Sequence, residues 1–155
     1  MTNRTPWLGT PITVGGMPQA VSQATPSLET IRAGFDAFNR GDYEAWIDLY
    51  DEDVEFLDLA ETPDTGAFRG HAGARAWLAK LQEAWGEGFR FEPRSITEGD
   101  GVVLVDSRAK GIGVGSGVPI EMTVHIVLRY RDQKIVWTRA FIDRADALEA
   151  AGLRK

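Results

Sequence analysis

Asp58 closes the alternating run Val54-Glu55-Phe56-Leu57-Asp58, at a position that the pattern reserves for apolar side chains. Residues i, i+2 and i+4 of a strand share one face, so its carboxylate points the same way as Val54 and Phe56. A carboxylate aimed at an apolar interior is costly unless it is paired, protonated or put to use. Its use there would be general-base chemistry on a carbon-bound proton or on a water.

Arg139 is the second group out of place. The two-residue turn Asp132-Gln133 registers the last hairpin: if Arg131 pairs with Lys134, then Tyr130 faces Ile135, Leu128 faces Trp137, Ile126 faces Arg139 and Val124 faces Phe141. One face then carries Val124, Ile126, Leu128, Trp137 and Phe141 with Arg139 among them. A guanidinium stays charged and must find a carboxylate or a carbonyl. Three roles for Asp58 stay open: a base, an ion-pair partner of Arg139, or a solvated group at a strand end. Arg139 is read either as a ligand anchor and oxyanion stabiliser or as a structural arginine.

Other polar groups carry less. His71 follows Phe68-Arg69-Gly70 at the start of a helix, where a cap or surface role is expected. His125 shares a strand face with Thr123 and Arg129, away from the apolar face. The two histidines have no carboxylate at a metal-ligand spacing, so no metal is expected, and no motif calls for a cofactor. The run Gly111-Ile112-Gly113-Val114-Gly115-Ser116-Gly117 lacks the lysine of a phosphate loop and fails the dinucleotide spacing at Ser116. Alternating glycines there fit a bend or a close backbone approach.

The elements that must hold these residues follow from the hydrophobic period. Residues 1–25 contain three prolines and a Gly15-Gly16 pair and read as an irregular N-terminal arm, apart from a domain over 26–155. Thr25-Pro26 reads as the cap and first position of a helix bearing Leu28, Ile31, Phe35 and Phe38, which stops at Arg40-Gly41. Asp42 caps a second helix with Tyr43, Trp46, Ile47 and Tyr50 on one face. The strand ending at Asp58 comes next, then a polar loop from Glu61 to Gly70 with a Pro-Asp-Thr-Gly turn. A third helix over about 71–86 presents Ala74, Trp77, Leu78, Leu81 and Trp85. Four strands and a short closing helix over 145–153 complete the chain. The fold class is α+β: a curved, mostly antiparallel sheet packed on three N-terminal helices. The expected pocket lining is Phe35, Phe38, Trp46, Phe56, Trp77, Leu81, Val124, Ile126, Leu128, Trp137 and Phe141.

The bulk numbers fit that reading. In 155 residues, 43% are hydrophobic, with five Trp, seven Phe and three Tyr, enough for one core. A net charge of -6 without a basic patch argues against nucleic acid and against anionic membrane. The absence of cysteine removes thiol chemistry and is compatible with a reducing cytoplasm.

The order of elements, with Phe38-Asn39-Arg40-Gly41-Asp42-Tyr43-Glu44-Ala45 between helices one and two, resembles the nuclear-transport-factor-2-like superfamily and, within it, the SnoaL-like polyketide cyclase branch. Phe68-Arg69-Gly70-His71, Gly115-Ser116-Gly117-Val118 and the stretch from Asp143 to Leu153 support it. The resemblance covers residue 26 to the end. It implies a cone-shaped, cystatin-like fold around an apolar cavity for a small apolar or polyketide-like ligand, often in a homodimer. Ketosteroid isomerases of the same superfamily keep a base aspartate where Asp58 stands. Their oxyanion positions fall near Gly34 and on Ile126, which donate nothing, so that mechanism does not carry over whole. Limonene epoxide hydrolases need further charged groups where Ser107, Ala109 and Ala140 stand.

The expected function is therefore a small-molecule enzyme of cyclase or isomerase type, cofactor-independent, with Asp58 as acid/base. A non-catalytic ligand-binding or dimerisation module is the alternative. A ring-opening hydrolase would need a second carboxylate near Asp58, from Glu61 or Asp143. A homodimer is expected through the outer sheet face bearing Thr123, Val127, Thr138 and Ile142.

Overall fold

Ser27 starts the ordered helices. Its hydroxyl accepts the amide of Thr30 and caps α1 (Leu28–Asn39), so the cap lies two residues beyond Thr25 and Pro26 stays outside the helix. The computed structural model describes residues 25–61 and 67–153; the arm up to residue 24 and the Pro63–Gly66 turn lie outside them. At the end of α1, Gly41 takes a φ of 84°, which an L side chain adopts only with strain. That reversal lets the Asp42 carboxylate accept the Ala45 amide and cap α2 (Tyr43–Ile47). Asn39, just before it, uses its side-chain amide like a strand backbone. It donates to the Phe91 carbonyl at 2.7 Å and accepts the Phe91 amide at 2.9 Å, clipping α1 to the sheet.

Among the described residues the remaining elements are β1 (Tyr50–Leu57), β2 (Ala67–Arg69), α3 (Gly70–Trp85), β3 (Arg90–Gly99), β4 (Val102–Ile112), β5 (Pro119–Arg131), β6 (Lys134–Phe141) and α4 (Arg144–Ala151). They form one open sheet in the order β2-β1-β6-β5-β4-β3, antiparallel except where β1 runs beside β6. The α+β class with a mostly antiparallel sheet is as the sequence predicts. The short strand β2 falls in the stretch expected to be a loop; Phe68 pairs with Phe56 and closes the sheet edge. His71 then donates from Nε2 to the Tyr50 carbonyl at 2.7 Å, tying the start of α3 to β1.

Two apolar clusters share the sheet between them. α1, α2 and α3 cover one face over Val103, Val105, Val124, Ile126 and Leu128. On the other side α4 covers Val102, Leu104, Val127 and Phe141. The unbroken run Val102-Val103-Leu104-Val105 reflects this, because a strand buried on both faces does not alternate. The glycine-rich β4–β5 connection is a bend: Gly115 and Gly117 take φ values of 87° and 70°. A Cβ on Gly111 would stand 2.8 Å from the Phe89 ring, so that glycine marks a close approach.

The hairpin register holds only next to the turn. Asp132 and Gln133 take φ values of 52° and 69°, the geometry of a tight hairpin turn, and Arg131 pairs with Lys134 and Tyr130 with Ile135. Val136 is then an extra residue. Arg129 pairs with Trp137, Leu128 with Thr138, Val127 with Arg139, Ile126 with Ala140 and His125 with Phe141. A one-residue bulge flips every later side chain to the other face. Trp137 and Phe141 accordingly pack on the α4 side, not in the expected pocket, and Thr138 turns inward. Of the four residues expected on an outer dimer face, Val127 is fully buried under α4 and Thr138 is inside the protomer.

Candidate functional site

Between the sheet face that α1, α2 and α3 cover and these helices lies a cavity of about 370 Å³, within the range of small-molecule sites. Its helical wall is aromatic: Phe35 and Phe38 from α1, Trp46 from α2, and Trp77, Leu81 and Trp85 from α3. The sheet supplies Phe56, Val124, Ile126 and Thr138. Trp77, Leu81 and Trp85 are half-buried although they sit on the apolar stripe of α3, because that stripe faces open space. Ring packing stiffens the wall, with Phe56 and Trp77 centroids 4.7 Å apart and Phe38 and Trp46 at 5.2 Å. Leu128 lies in the same core and lines a smaller neighbouring void beside Ile31 and Tyr130.

Asp58 lines the cavity just past the end of β1, two residues beyond Phe56. Its side chain is 15% exposed. Oδ1 accepts the Leu59 amide at 2.9 Å, and Oδ2 accepts Lys80 Nζ at 2.5 Å. A carboxylate oxygen has two lone pairs, so each retains one for a ligand. The Lys80 side chain is 56% exposed, which places the pair where the cavity meets solvent.

Arg139 does not reach the Asp58 carboxylate. Its Nε donates to the Asp58 main-chain carbonyl at 3.3 Å, at the rim of the cavity, while its strand position belongs to the α4 face. The bulge at Val136 is the reason. Lys80 was not singled out by sequence, yet it stands one turn beyond Trp77, on the side of α3 that carries Trp77, Leu81 and Ala84, all of which line the cavity.

Tyr50 is a further polar group in the wall. Burial, and secondarily the neighbouring Tyr130, push its hydroxyl far above the usual phenol range, so it stays neutral. Glu61 and Asp143 are engaged elsewhere: Glu61 accepts the amides of Ile142 and Asp143, and Asp143 caps α4 through the Asp146 amide. His125 lies outside the cavity. Its Nδ1 is 2.5 Å from Asp106, which also accepts Ser95 and both Nε and Nη2 of Arg144. Burial raises the Asp106 pKa, but the bonds from Arg144, His125 and Ser95 outweigh it and leave that carboxyl below its ordinary value. The cluster clasps α4 onto the sheet. Among the described residues no three His, Asp or Glu side chains gather as metal ligands, and no helix is long and apolar enough to cross a membrane.

A six-stranded open sheet packed against helices, with a cavity between them, is the NTF2-like fold. Residues 31–138 match the SnoaL-like domain model, and the chain belongs to that family. Solved structures agree on the fold. An NTF2-like protein of unknown function from Burkholderia pseudomallei is similar at 20% identity over 79% of this chain and 94% of that one, with a TM-score of 0.66. A protein with a ketosteroid isomerase-like fold from Catenulispora acidiphila, in complex with trimethylamine, gives 18% identity over 84% and 96%, with a TM-score of 0.65. A protein provisionally assigned as a SnoaL-like polyketide cyclase from Jannaschia gives 18% over 91% and 100%, at 0.64. No match was found among curated proteins.

Proposed function

We propose that the chain is a cofactor-independent enzyme of the SnoaL-like type, acting on a largely apolar small molecule by proton transfer, as in a cyclisation or isomerisation. The observation that carries this reading is a single carboxylate, Asp58, on the wall of a mostly aromatic and aliphatic cavity whose other polar lining includes Lys80, Thr138 and Arg139. Asp58 takes the proton, with one lone pair on each oxygen left for the substrate. Lys80 is a positioning residue that fixes the carboxylate rotamer from α3. The cavity walls exclude water and orient the substrate's carbon skeleton. Membership of a family that includes cyclases and isomerases supports this reading.

A second reading is a binding module with the same cavity. The close Lys80 contact favours it, since an ion pair also serves as a fixed polar rim. Exchange of α-protons on a bicyclic ketone distinguishes the two, because only a base at Asp58 accelerates it.

A further inference from the structure

Thr138 is a polar side chain in a place built for apolar ones. It is 4% exposed, pairs with Leu128 on β5 and Phe56 on β1, and lines the cavity. Among the described residues its hydroxyl has no hydrogen-bond partner in the protein, and it is not among the buried polar atoms sealed off without one; Arg108 Nε is. The Thr138 hydroxyl therefore meets open space, and the space it borders is the cavity. Isosteric valine would fill that position without leaving a hydroxyl to satisfy. The bulge at Val136 puts Thr138 on the inward face and leaves Arg139 at the rim.

We propose that Thr138 is the interior polar anchor of the site, a specificity-determining residue that reads a second oxygen on the ligand. This rests on the cavity's being a ligand site, as the proposed function has it. Phe56 and Thr138 are paired, and Asp58 lies two residues past Phe56, just beyond the end of β1. Two strand rises and one strand spacing separate Asp58 from Thr138 by about 8 Å at their Cα atoms. The ligand class follows: an apolar frame of at least two fused rings, carrying two hydrogen-bonding oxygens roughly 6–9 Å apart across that span. One oxygen meets Asp58 near solvent. The other meets the Thr138 hydroxyl inside, as donor or acceptor, since a hydroxyl is both.

Equilibrium dialysis with two probes tests this, 2-naphthol with one hydroxyl and 2,6-dihydroxynaphthalene with two. The wild-type protein should bind the diol about 3–10-fold more tightly, the value of one further hydrogen bond. Thr138→Val should bring the ratio of diol to 2-naphthol affinity down to about one, and Thr138→Ser should restore it. The Val variant should melt no lower than wild type, because its hydroxyl has no protein partner to lose. Equal binding of the two probes by the wild-type protein, or a diol preference that survives in Thr138→Val, overturns the anchor and leaves the cavity reading standing. A marked fall in melting temperature in Thr138→Val overturns it as well, by revealing a structural hydroxyl. Failure of both probes to bind overturns the ligand site itself and the anchor with it.

Discussion

Leu128 pairs with Thr138, where an unbroken hairpin would pair it with Trp137. That one-residue difference decides what the cavity contains. Without the Val136 bulge the interior would hold Trp137, Phe141 and a guanidinium, and little space would remain beside Asp58. With it, the two aromatic side chains cover the other face and a hydroxyl lines the space.

Trp137 should accordingly matter for stability and not for ligand affinity. It packs in the cluster under α4, with the Arg129 guanidinium 5.8 Å from its ring. Trp137→Ala should cost about 2–3 kcal/mol in chemical denaturation, below the full burial figure because the ring is half-buried. Its affinity for 2-naphthol should equal that of the wild-type protein; a several-fold loss would return Trp137 to the pocket.

Asp106 should anchor α4 in a pH-dependent way. Its carboxyl titrates below the ordinary aspartate value in the folded protein and near it in the unfolded chain. Its contribution is thus fully present above about pH 4 and is lost as the pH falls through the folded value. Asp106→Asn should lower stability at pH 7 by about 1–3 kcal/mol and flatten the dependence below pH 4. Denaturant melts at both pH values check this, and an unchanged acid slope would remove Asp106 from the clasp.

Tyr50 and Tyr130 set the alkaline limit. Burial raises both hydroxyls far above the unfolded value of about 10. Stability should be intact below about pH 10 and fall as the pH rises, because only the unfolded chain releases those protons easily. Tyr50→Phe should weaken that decline. Reversible tyrosinate absorbance from all three tyrosines near pH 10 in the folded protein would contradict the burial.

Much of the site was readable because β1 keeps its period: Val54, Phe56 and Asp58 do share a face, and Asp58 does line the cavity. The Gly41 break and the Asp42 cap were equally plain, since few residue types suit those positions. The bulge was hidden because Ile135, Val136 and Trp137 are all apolar, so a slip by one changes no hydrophobic pattern. Thr138 and Arg139 then exchange faces with no local sign of it. Lys80 escaped because a lysine on a helix reads as solvated; its place one turn past Trp77 was the available clue. The Ser27 cap is harder to read, because proline suits a first helical position and Pro26 therefore points to Thr25.

Asp58 is proposed to act as a base inside the cavity. Nuclear magnetic resonance of 2-tetralone in deuterated buffer measures it directly, as the rate at which the α-protons are replaced. The wild-type protein should accelerate exchange by at least about 100-fold over buffer, and Asp58→Asn, with an unchanged melting profile, should return it to the buffer rate. Equal acceleration by a folded Asp58→Asn protein would remove Asp58 from the chemistry.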